Sequence, residues 1–231
     1  EGIGFVEDPT GPLSLWFPLV MGQHPPSGRE YVICVDISAG SGASNSALSI
    51  GDRKTREKVA EFVDPNTSPE EFAMLAYALG HWLKGDHPLK QAMIRWEDNG
   101  PPGAIFRKAL LKLGYANIYY RVMNPDEPVS RQSRKPGWWS SPKTKAQLLG
   151  HLRQCMRDGS FVNPSEPAIR ECAYYCNTKA GSIEHSRSIG AEDPSGAKDS
   201  HGDIVIADMQ LCEELLGKRG TDRHLPDQED E

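Results

Sequence analysis

The stretch Tyr31–Asp52, YVICVDISAGSGASNSALSIGD, constrains the chain most. Its apolar run from Tyr31 to Val35 ends in a single acid, Asp36. A Gly/Ser-rich turn follows, and a second apolar run covers Ala47 to Ile50. The pattern predicts a strand, a loop and an antiparallel partner. Asp36 falls where the strand gives out, so its carboxylate can leave the core and meet a ligand.

Residues 57–122 limit the fold further. Glu57–Val63 reads as a third strand, which makes an antiparallel meander. Ser68-Pro69-Glu70-Glu71 is a capping box with proline at the first helical position. Phe72, Leu75, Ala76, Leu79 and Leu83 then recur at helical spacing. Gln91–Trp96 predicts a fourth strand, stopped by the turn-forming run Glu97–Gly103. Ala104–Leu113 predicts a helix ended by Gly114, and Asn117–Val122 a fifth strand. A meander followed by helix, strand, helix, strand predicts an α/β domain. Its mixed sheet has three antiparallel strands followed by parallel ones, flanked by helices.

Further along, Ser141-Pro142 opens a helix to about Arg157. Asn163 caps another that reaches about Cys176, residues 182–188 read as a small strand, and 202–216 as a last helix ended by Gly217. Residues 1–30 read as an irregular arm or linker and 31–217 as the domain. Residues 218–231, ending DQEDE, read as an acidic disordered tail.

Composition excludes some classes. No run of 18 apolar residues exists, so no membrane helix is expected. Five cysteines without framework spacing point to a reducing compartment. Cys172 and Cys176, with His185 nearby, are too loosely spaced for a metal site and read as apolar helix positions. The formal net charge is −6, yet residues 121–158 hold eight basic residues against three acids. A basic segment of this kind suits phosphate contact without sequence preference. Its candidate DNA contacts are Arg131, Arg134, Lys135, Lys143 and Lys145. Trp138 and Trp139 could stack on a base or pack in the core.

Acids sit at three structural junctions. Asp36 ends the first strand, Glu97 ends the fourth, and Asp203 opens the last helix. Taken singly, Asp36 could cap a turn and Asp203 could serve the helix dipole. Taken together, with the first and fourth strands adjacent and the helix across their ends, the three carboxylates could converge. Such a cluster repels itself unless a cation neutralises it, and hard cations prefer oxygen ligands.

Four motifs in order resemble one family. VDISAGSGASNS is similar to its acid-ended first strand and Gly-rich turn. WEDNGPPG is similar to its second acidic motif, GWWSSPKTKAQLL to its Gly-Trp and Ser-rich segment, and HGDIVIADMQL to its third acidic motif. The chain thus resembles, over about residues 31–216, the C-terminal nuclease domain of the large terminase subunit of tailed bacteriophages. The resemblance implies a ribonuclease H-like fold and a metal-dependent endonuclease that cuts double-stranded DNA during viral genome packaging. Asp36, Glu97 and Asp203 would hold two Mg²⁺ or Mn²⁺ ions, with His201, Asn45 and Asp98 as neighbours that shape the metal shell. Where many relatives carry another acid, this chain has Ser44-Asn45-Ser46. Asp208, five residues after Asp203, is a second choice.

Other implied partners are a packaging ATPase domain, a small terminase subunit and a portal, in the host cytoplasm and with no membrane. No G-x-x-x-x-G-K-[ST] occurs, so no ATP site is expected here. With Glu1 rather than Met at the start, the chain is expected to be an isolated nuclease domain. The alternatives are another ribonuclease H-like nuclease, such as a junction resolvase or an RNA–DNA hybrid nuclease, and a non-catalytic DNA-binding or motor-docking module.

Overall fold

The computed structural model describes residues 6–84, 89–123, 131–177, 183–185 and 202–217. Strands β1 (Leu13–Leu15), β2 (Tyr31–Asp36), β3 (Ser46–Asp52), β4 (Glu57–Asp64) and β5 (Met93–Trp96) form one sheet in the order β1-β4-β3-β2-β5. The meander β2-β3-β4 is antiparallel, and β5 lies parallel to β2.

β2 is central because both of its faces are apolar. Successive side chains of a strand point to opposite faces. Tyr31, Ile33 and Val35 pack into one core, while Val32 and Cys34 pack into another. The first core is covered by α1 (Pro69–Trp82) and α2 (Gly100–Lys112). The second is covered by α5 (Asp203–Leu216), with α3 (Pro142–Asp158) packed outside it. α5 is therefore buried along most of its length. The short α4 (Glu166–Cys172) lies against it.

Local chemistry sets the helix ends. Ser68 and Glu71 close a reciprocal capping box on α1 with Pro69 in the first turn. Ser141 and Thr144 do the same for α3, and Gly159 ends α3 at φ 72°.

The structure departs from the sequence reading in four places. The arm is not all irregular, since β1 extends the sheet by pairing with β4. Trp82 Nε1 also donates to the Gln23 carbonyl at 2.9 Å. α2 begins at Gly100, not Ala104, because Pro101 and Pro102 occupy its first turn, where a missing N–H costs nothing. The fifth strand meets β5 only at the Ile94–Ile118 bridge. It then peels away into a two-stranded hairpin of β6 (Tyr120–Met123) and β7 (Arg131–Pro136). Finally, Ser165 rather than Asn163 caps α4, which stops at Cys172. β8 (Tyr175–Asn177) comes next and pairs with β9 (Ile183–His185). Cys176 is thus an exposed strand residue, not a helix position. The acidic tail lies outside the described residues.

Candidate active site

β2 and β5 run parallel with Val35 opposite Trp96, so Asp36 and Glu97 occupy the next pair of positions at the same sheet end. The Glu97 N–H donates to the Val35 carbonyl at 3.2 Å, which fixes that register. The third acid arrives from the other layer. Ala47, which faces Asp36 across the β2–β3 ladder, packs with Ile204 and Ala207 of α5. The first turn of α5 is thereby seated beside the β2 terminus.

Asp203 is held there by the loop after β2. The Asn45 backbone N–H donates to it at 2.9 Å, and the Ser44 hydroxyl lies 3.1 Å from both carboxylate oxygens. Asn45 therefore acts through its backbone. Gly202 caps α5 at φ 78°, a conformation that favours glycine. A Cβ there would also lie 2.3 Å from the Tyr175 hydroxyl. That hydroxyl donates to the Gly202 carbonyl at 3.0 Å.

Asp36 feels the charges of the other two acids. Burial pushes the Asp36 carboxyl well above its ordinary value, and the charges of Glu97 and Asp203 push it further, with Lys145 opposing. Burial also raises Glu97, offset by Lys145 and by a hydrogen bond from Ser140. A buried Asp203 beside the partly buried Asp36 and Glu97, with Asp36 raised by the charges of the other two, suits a hard divalent cation, which takes oxygen ligands.

The remaining candidates divide. Asp98 turns away from a metal role. Its buried carboxylate pairs with Arg107 and, at 2.6 Å, with Arg121, tying β5, α2 and the hairpin together. Trp138 is buried rather than a DNA contact. Its backbone N–H donates to the Trp96 carbonyl, its backbone carbonyl accepts from the Asp98 N–H, and the Arg95 guanidinium lies 5.6 Å from its ring centre. Trp139, by contrast, is 53% exposed beneath Arg121. Arg134, Lys135 and Lys143 are exposed, while Lys145 is partly buried and faces the acids. Arg131 is the first residue of β7, paired with Met123 of β6. His201 falls outside the described residues. Asp208 is fully buried and bonded to Lys58, Ser49 and Asn163.

Sequence reasoning missed Glu171. Its carboxylate accepts from the N–H groups of Ile204 and Val205 at 3.1 and 3.2 Å, so it caps α5 from outside the helix. Burial raises its pKa to about 7. Nothing in the local sequence marks it, because its partners lie 33 and 34 residues away.

The fold, a five-stranded mixed sheet flanked by helices, is shared with solved large terminase nuclease domains. The chain is similar to the large terminase nuclease of the thermophilic phage G20c with bound magnesium: TM-score 0.61, 16% identity, 90% of this chain and 89% of that one covered. The same nuclease with bound cobalt gives 0.60 at 16% identity over 90% and 89%. The Thermus phage P74-26 large terminase nuclease domain gives 0.55 at 14% identity over 91% and 90%. No protein-family model matches the chain, and neither does any curated protein.

Proposed function

We propose that this chain is a divalent-metal-dependent endonuclease that cuts double-stranded DNA during viral genome packaging in the host cytoplasm. The observation that carries the reading is the meeting of Asp36, Glu97 and Asp203 at one sheet end, in a fold shared with terminase nucleases. These three residues would hold two Mg²⁺ or Mn²⁺ ions. Such ions supply water activation and charge neutralisation for phosphodiester hydrolysis.

The chain's own residues prepare that site. Ser44 and Asn45 fix the orientation of Asp203. Ser140 bonds Glu97, and Lys145 sets a positive charge against both Asp36 and Glu97. Arg131, Arg134, Lys135 and Lys143 would contact the phosphate backbone, and Trp139 stands exposed one residue from the Glu97–Trp138 bridge. The packaging ATPase domain, small subunit and portal are the partners this role requires. No helix among the described residues is long and apolar enough to cross a membrane.

The test is Mg²⁺-dependent nicking of supercoiled plasmid by Asp36→Asn. Loss beyond the about 10–100-fold typical of residues that merely support a metal ligand is expected. Activity within threefold of wild type would refute the assignment of Asp36. Parallel assays on a four-way junction and an RNA–DNA hybrid separate a terminase-like enzyme from other ribonuclease H-like nucleases. DNA binding without cleavage under any divalent ion would identify a non-catalytic module.

A further inference from the structure

A second cluster of metal-ligating groups lies away from the three acids. His151 and Cys155 are four residues apart on α3, so they share one helix face. Cys212 meets them from α5, and ligand atoms of all three lie within 4.8 Å of one another. The two thiols lie together in the core between α3 and α5. Both cysteines are buried and neither is in a disulfide. His151 is partly exposed, and its Nδ1 lies 3.1 Å from Glu213 Oε2. Cys212 is nine residues beyond Asp203, about 14 Å along the helix axis. The cluster is therefore separate from the acids.

We infer that His151, Cys155 and Cys212 form a binding site for a thiophilic divalent metal, with zinc the best fit, that clasps α3 to α5. Two sulfurs and an imidazole select zinc-like ions over magnesium, which takes oxygen ligands. A tetrahedral zinc ion needs its sulfurs about 3.8 Å apart and sulfur to nitrogen about 3.6 Å, from bond lengths of about 2.3 and 2.0–2.1 Å. The observed spacing closes to those values by about 1 Å of side-chain movement. Glu213 occupies the place of the carboxylate that orients a metal-bound histidine. The solvent-facing side of His151 and Glu213 gives the ion its way in. The spacing H-x-x-x-C carries this reading, and the distant Cys212 completes it.

Cobalt(II) titration of the reduced, metal-free chain tests the site. Thiolate–cobalt charge transfer in the near ultraviolet, with the strong visible bands of tetrahedral cobalt, is expected at one ion per chain. The carboxylate site has no sulfur and gives no such band, so Asp36→Asn leaves the signal intact whether or not the nuclease reading holds. Cys155→Ser/Cys212→Ser should abolish the band, and His151→Ala should weaken cobalt binding by at least about tenfold. X-ray absorption of the zinc-loaded wild-type chain should show two sulfur ligands at about 2.3 Å, a measurement that depends on no variant. Absence of the band from fully reduced wild-type chain would overturn the inference. So would a band that survives in the double variant, which would place the metal on other cysteines.

Discussion

Removing the Lys58 ammonium should destabilise the fold severely. Lys58 is fully buried between two carboxylates, Glu61 at 2.5 Å and Asp208 at 2.6 Å, and Asp208 is fully buried as well. Asp208 also accepts from Ser49 and Asn163, and Glu61 from Ser165. Every member is bonded, which is the condition under which a buried ionic cluster is tolerated. Lys58→Met keeps most of the volume but strands two acids without a cation, and breaking a buried pair in this way costs about 3–5 kcal/mol. With an m-value of about 2–3 kcal/mol/M, the urea midpoint should fall by about 1–2.5 M. Lys58→Met/Glu61→Gln/Asp208→Asn removes all three charges and should recover most of that loss. A shift under 0.5 M for Lys58→Met (about 1 kcal/mol) would refute the reasoning, as would a triple variant no more stable than the single one.

Metal and pH should act together on stability. Asp36, Glu97 and Glu171 all have folded pKa values raised above their ordinary ones. Their folded state binds protons more tightly, so in EDTA stability should fall as pH rises from the ordinary carboxylate range through the raised values, which reach about 7 for Glu171. Mg²⁺ should therefore raise the melting temperature more at pH 8 than at pH 5; an equal rise at both would count against the carboxylates as its site. Gly202→Ala should cut nicking strongly, since a Cβ at φ 78° collides with Tyr175 and displaces Asp203, and unchanged activity would show that Asp203 is not held by this cap. Trp138→Ala should cost about 3–5 kcal/mol in urea unfolding. Trp139→Ala should leave the unfolding midpoint in place and weaken DNA binding in a filter or anisotropy assay by about 1–3 kcal/mol.

The sheet and the three acids were legible for a simple reason. Strand ends and helix starts show in periodicity and capping residues, and Asp36, Glu97 and Asp203 each sit at one. Adjacent parallel strands then place Asp36 and Glu97 side by side without further instruction. Asp98 was not legible, because Asp-Asn-Gly reads as turn chemistry while its real partners, Arg107 and Arg121, come from α2 and the hairpin. The tandem tryptophans carried no local signal either. Consecutive residues leaving a bridge face opposite ways, and only the tertiary fold decides that Trp138 goes in and Trp139 goes out.

The Lys58 cluster shows where sequence pattern fails on principle. In a regular strand, residues 58 and 61 point to opposite faces, so Lys58 and Glu61 could not meet a common partner. β4 is irregular there. Ile50 pairs with Ala60 but Gly51 pairs with Lys58, so Val59 has no partner and the register shifts. A bulge of this kind re-aims the residues on one side of it. It turns Lys58 onto the face of Glu61, towards Asp208 of α5. At Gly51, on the opposite strand, a Cβ would lie 2.8 Å from the side chains of both Leu211 and Leu215, so α5 packs closely against the bulged region. Asp208 sits five residues beyond Asp203 on that helix. The same displacement that buries an amine in the core therefore helps set how far α5 reaches along the sheet, and so where Asp203 stands relative to Asp36. A one-residue irregularity on β4 is coupled in this way to the geometry of the acids, which is why Lys58→Met is expected to lower nicking activity under conditions where the variant is still folded.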